Sequence, residues 1–109
     1  SSYGIKLSNL ASLYSTLGDN KKALPLSLEA LKNIEKSLGK DHSSYGTSIN
    51  NLASIYHDMG DYNKALPLYI KGLRNTEKSL GKDHSSYGIK LSNLATLYST
   101  LGDNKKALP

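Results

Sequence analysis

The sequence predicts an all-α solenoid, a chain in which pairs of antiparallel helices stack side by side. The first observation is a 42-residue period: residues 1–4, Ser-Ser-Tyr-Gly, return at 43–46 and at 85–88. The second is that residues 1–25 and 85–109 match at 24 of 25 positions. The third is that each period carries two apolar stripes at helical spacing. A fixed period of this size is typical of solenoids, in which each repeat buries its apolar face against its neighbours.

The first helix of the repeat, helix A, is predicted near 3–17, and the period places its copies near 45–59 and 87–101. Its apolar residues recur at spacings of three and four, which puts them on one side of a helix. In the first repeat they are Leu7, Leu10, Ala11, Tyr14 and Leu17. Gly18 follows and can take the left-handed conformation that ends a helix. Asp19 then stands where a side chain caps the next helix by accepting a backbone N–H.

The second helix, helix B, is predicted near 20–38 and 62–80. Its apolar stripe consists of Ala23, Leu24, Leu28, Leu31, Ile34 and Leu38. Gly39 is expected to end it as Gly18 ends helix A. A third copy would begin near 104 as a stub of about six residues, too short to persist without tertiary support.

Three prolines contradict the simplest form of this prediction. Pro25, Pro67 and Pro109 each fall about six residues into helix B, where proline typically costs about 3 kcal/mol. The missing N–H and the clash with the preceding turn cause that cost. Either the first turn of helix B is bent or irregular, or helix B begins later than the stripe suggests.

The composition bears on the class of partner. The net charge is +5, and Arg74 is the only arginine among the 14 basic residues. Nucleic-acid readers favour arginine and concentrate their charge in a patch, whereas these lysines recur at the repeat spacing. We therefore expect a solvated basic surface that keeps the array soluble, and no nucleic-acid partner.

Membrane, disulfide and thiolate-metal classes are disfavoured as well. No apolar run approaches the roughly 18 residues of a membrane span. The chain has no cysteine, which excludes disulfides and thiolate metal sites and fits a reducing compartment. We expect a cytoplasmic protein without a membrane partner.

The loops predict turns and caps rather than catalysis. His42 and His84 lie in matching loops one repeat apart, too far to share one metal ion, so a turn or capping role is expected. Asp41 and Ser43 or Ser44 are further candidate caps for the next helix. No Ser–His–acid arrangement repeats and no glycine-rich phosphate loop appears. We expect no enzyme activity, cofactor or metal.

The apolar stripes carry a family pattern along the whole chain: a large residue, leucine, a small residue, tyrosine, a turn glycine, and small residues in helix B. In the first repeat the matching residues are Leu7, Leu10, Ala11, Tyr14, Gly18, Ala23 and Ala30. In the second they are Ile49, Leu52, Ala53, Tyr56, Gly60, Tyr62, Ala65, Tyr69 and Gly72. This pattern resembles the tetratricopeptide repeat.

The period is longer than that family's usual length, and three short motifs are similar to the 42-residue variety of kinesin light chains. These are Asn-Asn-Leu-Ala at 50–53, Ala-Leu-Pro-Leu at 23–26 and 65–68, and Leu-Gly-Lys-Asp-His at 38–42 and 80–84. The extra residues must lengthen the helices or the loop between them. In this variety the recurrent proline is part of the pattern, which the resemblance implies is tolerated.

The resemblance implies a right-handed superhelix with helix A lining a concave groove. The groove residues are then selected from the residues of helix A that lie off the apolar stripe. Lys6 and Lys90 lie on helix A but outside this selection. Because none of the selected residues is basic, the positive charge does not imply an acidic ligand. The candidate binding residues are Asn9, Ser12, Asn50, Asn51, Ser54, His57, Asp58 and Asn93.

An asparagine ladder is the most specific part of this prediction. Asn9, Asn51 and Asn93 recur at the 42-residue period, and an amide offers both donors and an acceptor. In peptide-binding relatives an asparagine at the matching position hydrogen-bonds the backbone of an extended peptide. Alternatively, each asparagine ties adjacent helices together.

We expect one solenoid domain of repeat 1 (1–42), repeat 2 (43–84) and a partial repeat 3 (85–109), cut from a longer array. The leading function is a non-enzymatic protein-interaction scaffold that holds an extended peptide in the groove. A second reading is a structural solenoid that associates head to tail, with 101–109 of one molecule accepting the Ser1 end of another. A third is an engineered or duplicated array with no dedicated ligand.

Overall fold

The computed structural model describes the backbone of residues 2–107 and the side chains of residues 3–102, and these residues form helices joined by short turns. The helices are α1 (Ser2–Thr16), α2 (Asn20–Leu38), α3 (Ser43–Asp58), α4 (Tyr62–Ser79) and α5 (Ser85–Ala107). No strand occurs within the described backbone. The chain is therefore an all-α solenoid, as predicted, and the bounds predicted for the first four helices are right to within two residues.

The helices pack in chain order. Helix α1 packs on α2 and α3 packs on α4, which makes two antiparallel pairs. Helix α2 then contacts α3, and α4 contacts α5, so each pair stacks on the next. One core cluster is built from Ala53, Ala65, Tyr69, Leu94 and Leu97 of α3, α4 and α5, and a second from Ile34, Tyr45 and Ile49 of α2 and α3.

The predicted turn chemistry is largely confirmed. Gly18 has φ +81° and Gly39 has φ +86°, so both take the left-handed conformation. Asp19 caps α2, since its carboxylate accepts a hydrogen bond from the backbone N–H of Lys22 at 3.3 Å. The repeat-equivalent Asp61 makes no such side-chain cap bond at α4.

Histidine caps the helices that follow the long loops. Nδ1 of His42 accepts a hydrogen bond from the backbone N–H of Ser44 at 3.0 Å, and Nδ1 of His84 accepts one from Ser86 at 3.1 Å. The expected capping role of the histidines is confirmed. The prediction that Asp41 or the loop serines cap α3 is wrong, because the imidazole of His42 accepts the hydrogen bond from the first turn of α3.

The two described prolines lie inside regular helices. Helix α2 begins at Asn20 and α4 at Tyr62, so the alternative that helix B starts later is wrong. Pro25 and Pro67 are exposed, and so is the residue four positions before each of them. Water can therefore bond the carbonyl group that proline leaves without a partner, which reduces the cost. Pro109 lies outside the described residues.

The predicted helix end near 101 and the separate stub from 104 are corrected by the structure. Helix α5 runs without a break through Gly102 to Ala107, whereas Gly18 and Gly60 at the same repeat position have φ near +81°. After those two glycines the chain reverses and the next helix buries its first alanine completely, Ala23 or Ala65. The described residues beyond Gly102 include no such packed helix, so local hydrogen bonds continue α5.

The predicted apolar stripe of α1 is only half buried. Leu7 and Ala11 are buried, but Leu10 and Leu17 are exposed. Leu52, which is equivalent to Leu10, is buried in α3 because the preceding helix pair covers it. Burial in this array therefore depends on the neighbouring repeat as well as on the helix itself.

An asparagine on α4 holds the loop between α2 and α3. The amide of Asn75 donates hydrogen bonds to the backbone carbonyls of Lys40 at 2.8 Å and His42 at 3.1 Å. Gly46 packs against the same asparagine so closely that a Cβ atom would overlap its side chain. This contact fixes the position at which α3 enters the second helix pair.

Candidate functional site

Helices α1, α3 and α5, the first helix of each repeat, form one surface of the solenoid, which we call the A-helix face. Two open cavities lie along it. A cavity of about 220 Å³ between α1 and α3 is lined by Ser12, Ser15, Thr16, Asn51, Ser54, Ile55 and Asp58. A second of about 210 Å³ between α3 and α5 is lined by Thr47, Asn50, Ser86, Ile89 and Lys90.

The polar lining follows from how α3 is packed. Ile49, Leu52 and Ala53 are buried in the core, because they lie on the stripe that contacts the neighbouring helices. Their neighbours in the sequence, Asn50, Asn51 and Ser54, are only half buried. A helix with one buried stripe must present its remaining residues elsewhere, and here they line the cavities.

Asn51 combines a structural bond with a free acceptor. Its amide nitrogen donates a hydrogen bond to Oγ of Ser8 at 3.2 Å, which ties α3 to α1. Its amide oxygen accepts no hydrogen bond from the described residues and is not buried. The two readings of the asparagine ladder therefore apply to different atoms of one side chain that lines the α1–α3 cavity: the nitrogen joins helices, and the oxygen has no partner among the described residues.

The bond made by Asn51 does not recur at the other two members of the ladder. Asn9 is exposed and borders a smaller cavity with Ser8 and Thr47. Asn93 is half buried and borders none of these cavities. Neither side chain makes a hydrogen bond to the described residues, so the equal spacing of the asparagines does not give them equal surroundings.

The cavity between α1 and α3 brings four of the predicted residues together. Ser12 and Asp58 are exposed, and Asn51 and Ser54 are half buried. Asn50 lies in the other cavity, where its amide oxygen is buried without a hydrogen-bond partner among the described residues. The A-helix face thus offers hydroxyls, amides and one carboxylate, which can donate and accept hydrogen bonds.

His57, which was predicted to face the groove, lines neither of these two cavities. Its ring packs edge-on against Tyr62 and Tyr69, with ring centres 5.5 and 6.0 Å apart. Nδ1 of His57 lies 3.3 Å from the Tyr69 hydroxyl. Burial raises the pKa of the Tyr69 hydroxyl above its ordinary value. The histidine therefore joins α3 to α4.

Lys90 is a site residue that the sequence analysis missed. It lines the α3–α5 cavity and is only 7 % exposed, so the expectation of no basic residue on the groove side was wrong. Burial lowers the pKa of its ammonium group. Its repeat equivalents are the exposed Lys6 and the buried Ser48. The small side chain of Ser48 indicated that a neighbouring repeat covers this position of helix A.

Metal binding and membrane spanning can both be judged on the described residues. Residues 3–102 hold no group of three histidine, aspartate or glutamate side chains that could bind a metal ion. Within the described part of the chain, no helix combines the length and the apolar character needed to cross a membrane.

Comparison with known proteins agrees with the resemblance read from the sequence. The family model of the tetratricopeptide repeat matches residues 3–77 and, in a second register, residues 46–109. No curated protein matches the chain significantly.

Proposed function

Because the chain belongs to the tetratricopeptide repeat family, we propose that it is a non-enzymatic interaction scaffold that holds an extended peptide on its A-helix face. Tetratricopeptide repeats generally mediate protein–protein interactions, and the family is typically non-enzymatic. The partner is then a segment of another protein, and the cytoplasmic location expected from the sequence is part of the proposal.

The α1–α3 cavity is the observation that carries this proposal. It is open, polar and lined by Ser12, Asn51 and Ser54, and the oxygen of Asn51 is free to accept a hydrogen bond. An extended peptide exposes backbone N–H and C=O groups along both edges. The amide oxygen would accept from a peptide N–H, and the serine hydroxyls would donate to peptide carbonyls. Such contacts read the backbone and not the side chains.

The charge at this cavity favours a basic or neutral peptide. Asp58 is exposed at the cavity, where no basic side chain is among the lining residues. Lys90 lies in the neighbouring α3–α5 cavity. A peptide that spans both cavities would therefore meet a negative charge at one end and a positive charge at the other.

The proposal is tested by selecting peptides from a random displayed library on the wild-type chain and measuring their affinity for variants. Asn51→Ala and Ser54→Ala should each weaken binding about fivefold to tenfold, since a net hydrogen bond is worth about 1 kcal/mol. Asp58→Asn should reduce the affinity of selected basic peptides and leave neutral ones unchanged.

Ser37→Ala is the matched control for the serine variant. Ser37 is exposed on α2 and borders neither of the two cavities on the A-helix face, so this change should leave peptide affinity unaltered. If selected peptides bind the Asn51 and Ser54 variants as tightly as the wild type, the A-helix face is not the binding surface. If no peptide is enriched at all, the scaffold proposal fails for this part of the chain.

A further inference from the structure

Helices α1 and α5 have almost the same sequence but are buried on opposite sides. In α1, Leu7 is 8 % exposed and Ala11 is fully buried, and both lie on the side that packs against α2. On its other side Leu10 and Leu13 are exposed. The covered side of α1 is thus the side that receives the second helix of its own repeat.

Helix α5 shows the complementary pattern. Leu94 and Leu97, the equivalents of Leu10 and Leu13, are buried against α3 and α4. Leu91, the equivalent of Leu7, is 46 % exposed, and Ala95 and Tyr98 are exposed with it. Among the described residues, no helix covers this side of α5.

The chain itself contains the helix that fits the open side of α5. Residues 85–101 differ from 1–17 only at Thr96, which replaces Ser12. In α1 this sequence is covered by α2, so α2 is complementary to α5 as well. We propose that α5 of one molecule replaces α1 on α2 of a second copy and releases that copy's α1, a helix exchange between molecules. This inference is independent of peptide binding.

Conformational entropy favours the release of α1. Before it, α1 and α5 are each covered on one side. Afterwards α5 is covered on both sides and the displaced α1 on neither, so the buried apolar area is nearly unchanged. Ordering a helix costs backbone entropy for every residue, and after the exchange one helix is ordered instead of two. Release of the 15 residues of α1 therefore opposes the entropy lost on association.

The exchange also brings the loop 80–84 to Asn33 of the second copy. Within one chain, Asn75 holds the loop 38–42 through two backbone carbonyls. Asn33 is its equivalent on α2, and its amide nitrogen, the kind of atom that holds the loop at Asn75, donates no hydrogen bond to the described residues. The loop 80–84 has the same sequence as 38–42 and leads directly into α5. When α5 lies on a second copy's α2, this loop reaches Asn33 as 38–42 reaches Asn75.

The resulting assembly is open. Each molecule donates α5 at one end and accepts α5 at the other, so the contact is heterologous and can propagate. The alternative, end-on stacking of intact molecules, leaves α1 on its own α2 and does not bring α5 to Asn33. The two arrangements therefore differ in which residues become neighbours.

Two neighbouring residues of α5 give a matched pair of variants. Ala95 is exposed, but its equivalent Ala11 is fully buried against α2, so Ala95→Arg is harmless in the free molecule and clashes in the exchanged one. Thr96 and its equivalent Ser12 are both exposed, so Thr96→Arg is tolerated in both states. By sedimentation velocity over a concentration series, the wild type and Thr96→Arg should associate alike. Ala95→Arg should need at least about a tenfold higher concentration, since it places a charge in a buried site.

A disulfide test distinguishes exchange from other association. The chain has no cysteine, and Gly88 has open space around it. Its equivalent on α1, Gly4, lies against the side chain of Asn33 on α2. A mixture of Gly88→Cys and Asn33→Cys chains should therefore form a crosslinked dimer under mild oxidation. Gly88→Cys mixed with Glu35→Cys, an exposed residue on the same helix, is the control and should crosslink far less.

Hydrogen exchange measured on the associated species gives the third readout. Amides of residues 2–16 should lose protection on association while those of 85–101 gain it. A wild-type chain that stays monomeric at millimolar concentration overturns the proposal. The proposal is also overturned if Ala95→Arg associates as readily as the wild type, or if the control mixture crosslinks equally well. Retained protection of α1 on association would overturn it too, because it would indicate end-on stacking or unspecific apolar contact.

Discussion

The same residue has different surroundings in different repeats, and tyrosine shows this most clearly. Tyr3 is 57 % exposed, whereas its equivalent Tyr45 is 3 % exposed and packs against Ile34 and Ile49. The difference arises because α3 is packed between α2 and α4, so that Tyr45 is enclosed, whereas Tyr3 has only α2 beside it, where its hydroxyl donates to Glu29 at 3.4 Å. Identical residues at equivalent positions are thus natural controls for one another.

We predict that Tyr45→Ala lowers the free energy of unfolding by about 3–5 kcal/mol, as is typical when a buried aromatic side chain is removed. Tyr3→Ala should cost less than about 1 kcal/mol, because exposed positions contribute little. Urea titration followed by circular dichroism measures both. Equal losses in the two variants would mean that α2 does not cover Tyr45 in solution.

At the scale of the helix, close packing distinguishes glycines that look alike in sequence. A Cβ atom at Gly46 would overlap Asn75, which holds the loop before α3, whereas one at Gly88 would meet nothing. Both glycines lie near the start of helices with the same Ser-Ser-Tyr-Gly opening. The space beside the two glycines differs because α3, which carries Gly46, packs against α4, whereas no described helix follows α5, which carries Gly88.

Gly46→Ala should therefore destabilise the chain by about 1–3 kcal/mol, the usual cost of overpacking. Gly88→Ala should stabilise it by up to about 1 kcal/mol, because alanine is the better helix former. Thermal melting of the two variants beside the wild type tests the pair. Shifts of the same sign would contradict the close contact at Gly46.

At the scale of the whole molecule, stability depends on which repeats are neighbours. The two core clusters lie between successive helices, one between α2 and α3 and the other among α3, α4 and α5. In solenoids stability is close to a sum of repeat and interface contributions. The open side of α5, with Leu91 and Tyr98 exposed, marks an interface that the described residues leave uncovered.

Adding a copy of residues 26–42 after Pro109 should cover this side of α5. The added helix buries Leu91, as α2 buries Leu7, and covers part of Tyr98. We therefore expect the free energy of unfolding to rise by at least about 2 kcal/mol, the value of one large side chain fully buried. Gly102 should then end α5 as Gly18 ends α1. Urea titration measures the first effect, and amide exchange around 101–104 measures the second. An extension that leaves both unchanged would contradict the repeat equivalence.

The sequence by itself determined the fold class, the order and bounds of the first four helices, and the turns at Gly18 and Gly39. These features are local: helical spacing of apolar residues, left-handed glycines and capping side chains act within a few residues of the chain. The capping role of His42 was predictable for the same reason. Ser12, Asn51, Ser54 and Asp58, which line the α1–α3 cavity, were predicted as groove residues from the family resemblance together with their positions on the helix, and their role in binding stays a prediction.

Only the tertiary structure decided what each repeat position faces. It buried Lys90 where Lys6 is exposed, turned His57 toward Tyr69, and left Leu10 open where Leu52 is covered. It also carried α5 through Gly102, because a reversal at that glycine is stabilised by the helix that packs back after it. The physical reason is common to all of these: in a repeat array, local sequence sets the helix, and the neighbouring repeat sets the burial.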